Sequence, residues 1–249
     1  MITTRRTLGA LAAAVLLTGC SSTIEGTASP SPTSPGGSSS AGPSSGSGPS
    51  SGSGSAGDDL TAGLLPEDAF GAGAVVSPVS EADVAAGNAS GTLEGATVTP
   101  EACAQAVQRS QPSLEDLDGF AAQTATTGTT ITVQVITEGA GGDPAADLAA
   151  AVQECPQATV TSPEIGSATI TFALLDVPDL GDGSAALTYT TTVTGPDGSQ
   201  LAIPAQVGVV VDGDRAVTLL STSLGGTLDP VAFADLLSQA YDYQADQLD

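Results

Sequence analysis

Alternation of apolar and polar residues marks five stretches of this chain as strands, and a helical period marks several others. Residues 129–137 alternate with Ile131, Val133 and Val135 on one side, and residues 168–175 and 185–193 follow. Gly195-Pro196-Asp197-Gly198 supplies a turn into residues 201–211, and Asp212-Gly213 supplies a tight hairpin into residues 215–223. Pro204 lacks a backbone N–H, so its strand is expected to have an edge or a bulge there. Leu64-Leu65-Pro66-Glu67-Asp68-Ala69-Phe70 reads as a short helix opened by proline and acids. Thr99-Pro100-Glu101 is a helix start, Thr as N-cap and Pro in the first turn, with Cys103 and Val107 on one face. Asp143-Pro144 opens a helix whose Leu148, Val152 and Cys155 recur at helical spacing until Pro156 stops it. Asp229-Pro230 opens the last, with Phe233, Leu236, Leu237, Ala240 and Tyr241 as one apolar stripe. Consecutive hairpins among helices predict an α+β domain: an antiparallel sheet of about four to five strands with the helices packed on one face.

The first sixty residues follow other rules. Arg5 and Arg6 precede an apolar run over residues 8–17, then Leu17-Thr18-Gly19-Cys20. That is the layout of a secretory signal peptide, residues 1–19, and its end resembles the lipobox of bacterial lipoproteins. The resemblance implies that Cys20 is acylated and becomes the mature N-terminus. Ten apolar residues fall short of the ~20 a membrane-spanning helix needs. A plain secreted protein with an incidental cysteine is the other reading, and the arginine pair leaves both the general and the twin-arginine export routes open. Residues 21–59 hold 15 Ser, 9 Gly and 5 Pro. With the lipidated Cys20 they form a disordered tether, residues 20–59, of roughly 30–35 Å end to end; O-linked sugar on it is an alternative to a bare spacer. A single folded domain then spans residues 60–249.

Charge narrows the partners. No acid precedes Cys20, so 28 acidic residues against Arg109 and Arg215 leave the mature chain at −26. Nucleic acid is excluded as a partner, since its affinity comes from Lys/Arg neutralising phosphates. Anionic headgroups repel such a domain, so attachment to the membrane rests on the lipid of Cys20. Much of the apolar content is alanine, with seven aromatics and no tryptophan. A disulfide between Cys103 and Cys155 suits so lean a core in an oxidising compartment; a structural zinc wants four Cys/His ligands instead.

The chain has no histidine and no lysine. That removes the Ser-His-Asp triad, the Cys-His pair, the Ser-Lys dyad, Schiff-base chemistry and the P-loop. A carboxylate pair of the glycosidase kind remains, without the aromatics that usually line a sugar site, and the chain is read as non-catalytic. Asp176, Asp179 and Asp182, and separately Asp212 and Asp214, could offer oxygens to a hard cation. Neither run has EF-hand spacing and Asp-Gly pairs make turns, so no metal and no cofactor are assigned. Arg109 and Arg215 are expected to neutralise neighbouring carboxylates, with a grip on an anionic ligand as the alternative.

The opening Leu64-Leu65-Pro66, the helix start Pro100-Glu101-Ala102-Cys103, the strand and helix ending at Cys155 and the closing strand–helix unit cover most of residues 60–249. Together they resemble the actinobacterial family of exported sensor domains typified by the extracellular domain of the PknH-type serine/threonine kinases. The resemblance implies an antiparallel sheet with helices framing a cleft for an unidentified ligand. Family members often carry a tryptophan and a second disulfide, whereas the region of Ala205 and Ser221 has no cysteine here. The expectation is a cell-envelope lipoprotein on the extracytoplasmic face of the membrane, its sensor-like domain binding an envelope ligand or protein. The alternative is a structural or interaction lipoprotein that meets only other proteins. A ligand-sized cavity favours the first, and a flat polar surface the second.

Overall fold

A computed structural model describes residues 60–80, 82–84, 96–109, 117–139, 141–162, 166–195 and 197–248, with the side chains of 107–109 excepted. The signal segment, Cys20 and the tether lie outside them.

The core element is one antiparallel sheet of nine strands, not four to five. In chain order these are β1 (Val75–Val79), β2 (Thr97–Thr99), β3 (Gly119–Thr127), β4 (Thr130–Glu138), β5 (Gln157–Ser162), β6 (Gly166–Leu175), β7 (Gly183–Thr194), β8 (Gln200–Asp212) and β9 (Arg215–Ser223). In space they run β1-β3-β4-β9-β8-β7-β6-β5-β2. The four unpredicted strands lack the contrast that periodicity needs. β3 is mostly alanine and threonine, with Gly119, Phe120 and Gln123 besides, β1 contains Pro78, β2 is three residues long, and β5 carries Val160 as its one branched aliphatic residue.

Among the described residues three longer helices complete the fold: α1 (Glu101–Arg109), α2 (Pro144–Glu154) and α3 (Pro230–Leu248). Asp143 caps α2 by accepting from the Ala146 N–H at 2.9 Å, and Asp229 caps α3 through Val231 and Ala232. Thr99 ends β2, and it is the Pro100 carbonyl that accepts from the Cys103 N–H. Leu64–Phe70 contains a 3-10 turn at Glu67–Phe70, as its proline and acids predicted.

The helices lie on both faces of the sheet, a correction to the one-face expectation. The segment from β4 to β5 must cross four intervening strands, and α2 does so against Ala185, Val209, Val211 and Ala216. Cys103 and Cys155 then join α1 to the end of α2, over Ala158, Val98 and Phe172. With that face occupied, α3 folds back after β9 onto the other, where Phe233, Leu237 and Ala240 meet Ala186, Val210, Val217 and Leu219. A Cβ on Gly208 would lie 2.6 Å from a Leu237 methyl, so the missing side chain is what lets α3 approach. Pro204 sits in an interior strand, but just past the last β8–β9 rung at Ala205 and Thr222, where an absent N–H leaves no rung broken.

In β4 the expected alternation holds, yet the polar phase is the more deeply buried one. Thr132, Gln134 and Ile136 are buried, whereas Ile131, Val133 and Val135 are half-buried.

Candidate functional site

Register places a largely polar track on the face that α3 partly covers. Neighbouring strands are ~4.8 Å apart, and same-face residues along a strand ~6.7 Å apart. Nearest α3, Gln123, Gln134, Leu219, Gly208 and Ala186 form one row across β3, β4, β9, β8 and β7. The next row is Ala125, Thr132, Ser221, Gln206 and Thr188. Thr132, Gln206 and Ser221 are buried, and the Thr132 and Ser221 hydroxyls are bonded at 2.9 Å.

Beyond that row the face opens to solvent and turns to threonine. Pro204, Thr190, Thr171 and Gln157 line up across β8, β7, β6 and β5. Ala202, Thr192, Thr169, Thr159 and Thr99 make the next row, and Gln200, Thr194, Ser167, Thr161 and Thr97 the last. These side chains are half-buried or exposed. None is charged. The acids of this part of the chain, Asp176, Asp179, Asp182 and Asp197, stand in connections at the strand ends. β-Branched threonine has few χ1 states, so each position holds a hydroxyl and a methyl in a nearly fixed place.

The buried end of the track is held by two glutamines that sequence reading passed over. Gln134 Oε1 accepts from the Leu65 N–H and from Gln123 Nε2, both at 2.9 Å, while Gln123 Nε2 also donates to the Leu65 carbonyl at 2.8 Å. Turning the Gln134 amide around would set donor against donor, which fixes its orientation. Gln134 Nε2 is thereby left fully buried without a partner among the described residues. The signal for this pair was its position: glutamine at the same phase as Ile136 in a strand otherwise rich in β-branched residues.

The sequence-derived candidates fall elsewhere. Cys103 and Cys155 form the disulfide, with Cα atoms 5.0 Å apart. Cys20 lies outside the described residues. Arg109 ends α1, and its side chain is not described. The two acidic runs meet, since Asp182 accepts from the Gly213 N–H at 2.9 Å; the contact is turn chemistry, and among the described residues no three Asp, Glu, Cys or His side chains are grouped to hold a metal. Arg215 pairs with Asp212 at 3.3 Å, and Asp212 also accepts from Gln244 Nε2 at 2.7 Å. Gln244, fully buried one turn beyond Ala240, extends the α3 stripe with an amide that periodicity could not anticipate. A pocket of about 60 Å³ beside this hairpin is lined by Gly141, Pro144, Val211 and Arg215. It has room for a water or two and not for a metabolite, which takes ~300 Å³ or more.

Hydrogen bonds from Ser80 hold the exposed Asp83 carboxyl below its ordinary pKa, and those from Ser199 do the same for Asp197 in the β7–β8 turn. Burial pushes the Tyr189 phenol up, on the face opposite the threonines, where its ring packs on Phe172 at 5.8 Å.

No family model matches this chain, and no curated protein does. Among solved structures it is similar to an uncharacterized protein of Mycobacterium smegmatis, an ortholog of Rv0999, at 15% identity and a TM-score of 0.47, over 74% of this chain and 95% of that one. It is also similar to the extracellular domain of PknH from Mycobacterium tuberculosis, at 15% identity and a TM-score of 0.38, over 78% and 96%. The latter is the type domain of the family that the motifs around Leu65 and Cys103 resemble. No helix among the described residues is long and apolar enough to cross a membrane.

Proposed function

We propose that this protein is a lipid-anchored, non-catalytic binding domain of the cell envelope, sensor-like in build, which meets its partner across the polar face of the sheet. One observation carries the reading: a broad, solvent-facing array of hydroxyls and amides, free of charge, in a chain whose net charge is −24. The carboxylates of this part of the chain that are described stand instead in the connections at the strand ends. The disulfide supports an oxidising compartment, and the Leu17–Cys20 motif supports acylation at Cys20 as the attachment. The spread of the threonine rows over four strands favours recognition of an extended envelope component over an enclosed small ligand.

Two measurements test this. Mass spectrometry of the mature protein should find a diacylated Cys20 as its first residue; an intact Met1 with an unmodified thiol would overturn the anchoring. Thermal unfolding with fractionated envelope material should show at least one fraction that raises the midpoint. Unfolding curves unmoved by every fraction would overturn the binding role.

A further inference from the structure

Resting on that reading, we infer that the threonine rows of β5–β8 recognise an uncharged, hydroxyl-rich polymer, a neutral polysaccharide chain lying across the strands. Charge argues for it first. A polyanion is repelled by a chain of net charge −24, and a polycation gathers at the acids of the β6–β7 connection and the β7–β8 turn. A neutral partner alone gains from this face in particular. Side-chain chemistry argues next. Proteins anchor on aromatic and arginine hot spots, and these rows contain neither, whereas each threonine both donates and accepts through its hydroxyl and offers a methyl beside it. Sugar rings present the same mixture of hydroxyl and C–H edges. Extent is the third argument: the Ala202 and Gln200 rows run from β8 across β7, β6 and β5 to β2, a length of polar strand face that suits a chain and not a single sugar. Without aromatic platforms each contact is weak, so affinity accumulates over many repeats.

The test is native electrophoresis of the full chain in nonionic detergent, through gels cast with mannan, arabinogalactan or mixed-linkage glucan, and with polygalacturonate as the anionic control. At least one neutral polymer should retard the protein, and added salt should not release it, because no charges are paired. Glutamate at both Thr171→Glu and Thr190→Glu should weaken retardation roughly tenfold or more, since binding would bury a charge. Thr126→Glu adds the same charge to the opposite face of β3 and should leave it unchanged. Should the glutamate pair fail to fold, Thr171→Val with Thr190→Val keeps the shape, removes the hydroxyls and should still lower retardation several-fold. Free migration in every neutral gel, retardation that salt abolishes, or equal retardation of the threonine variants would each overturn the inference. So would sedimentation showing that the face pairs two copies of this chain. An envelope fraction that stabilises the protein while every neutral polymer leaves it unretarded sinks the polysaccharide and spares the binding role.

Discussion

Ala168 and Thr169 are neighbours in β6, yet they belong to opposite worlds. Ala168 is 3% exposed on the face that α1, α2 and the disulfide cover, while Thr169 stands half-open among the uncovered rows. The same two-way split runs through β5 and β7, with Ala158, Val160, Tyr189 and Val193 on the covered side and Thr159, Thr190 and Thr192 on the other. Covering a sheet face gains the hydrophobic term in proportion to apolar area, and with so much alanine here that area is small. The disulfide compensates by limiting the unfolded chain, so the covered face carries stability. On the other face α3 packs on Ala186, Val210, Val217 and Leu219, and the open threonine part beyond it makes no such contribution, which leaves its composition free to follow a binding task.

That division predicts unequal responses to mutation. Cys103→Ala with Cys155→Ala removes a cross-link closing a separation of 52 residues. By the chain-entropy model the loss is about 4 kcal/mol, read as a lower denaturant midpoint. A loss under about 1 kcal/mol would show that the covered face does not depend on its staple. Ala168→Asp should cost about 3 kcal/mol, because it leaves an unpaired carboxylate in a closed apolar layer. Thr169→Asp, one residue away, should cost no more than about 1 kcal/mol of strand propensity. Equal melting temperatures for the two variants would erase the distinction between the faces.

Part of this division was legible in the sequence. Asp143-Pro144 and Asp229-Pro230 announce their helices because capping chemistry is local, and Asp212-Gly213 announces its hairpin because Gly213 takes φ +63°. The Cys103–Cys155 pairing followed from counting. The face of each helix did not, because it depends on how far a connection must travel, and the crossing from β4 to β5 is a property of strand order. Nor did the threonine rows: Thr190-Thr191-Thr192 reads alike in both phases, and only the register with β6 and β8 shows which of the three face the open side. β3 was missed for a related reason, since alternation is faint where both phases are mostly Ala and Thr.

The two faces are not separated everywhere, and the Gln123–Gln134 pair marks where the open face becomes core. Gln134→Leu should cost about 2 kcal/mol, because it leaves the Leu65 N–H without its acceptor while ending the orphaned state of the Gln134 amide donor. The effect should be local. Hydrogen exchange at the Leu65 amide is expected to accelerate far more than exchange within β7, whose rungs do not involve Leu65. Uniform acceleration throughout the sheet would mean that the glutamines support the whole domain and not the docking of residues 60–70.

The smallest effect concerns pH. Burial raises the Tyr189 pKa above its ordinary value, so the native state resists ionisation that the unfolded chain accepts at about pH 10. The unfolded state then sheds its proton first, and the contribution from Tyr189 is fully present below about pH 10 and lost as pH climbs from there toward the folded value. Tyr189→Phe removes that dependence while keeping the ring against Phe172. Its unfolding midpoint should therefore fall less steeply on the alkaline side than that of the parent, with the curves parallel below about pH 9. Self-repulsion among the many carboxylates is common to both proteins and cancels in the difference. An identical alkaline slope would place Tyr189 in contact with water, and with it the edge of the covered face nearer to β7 than the packing of α1 and α2 implies.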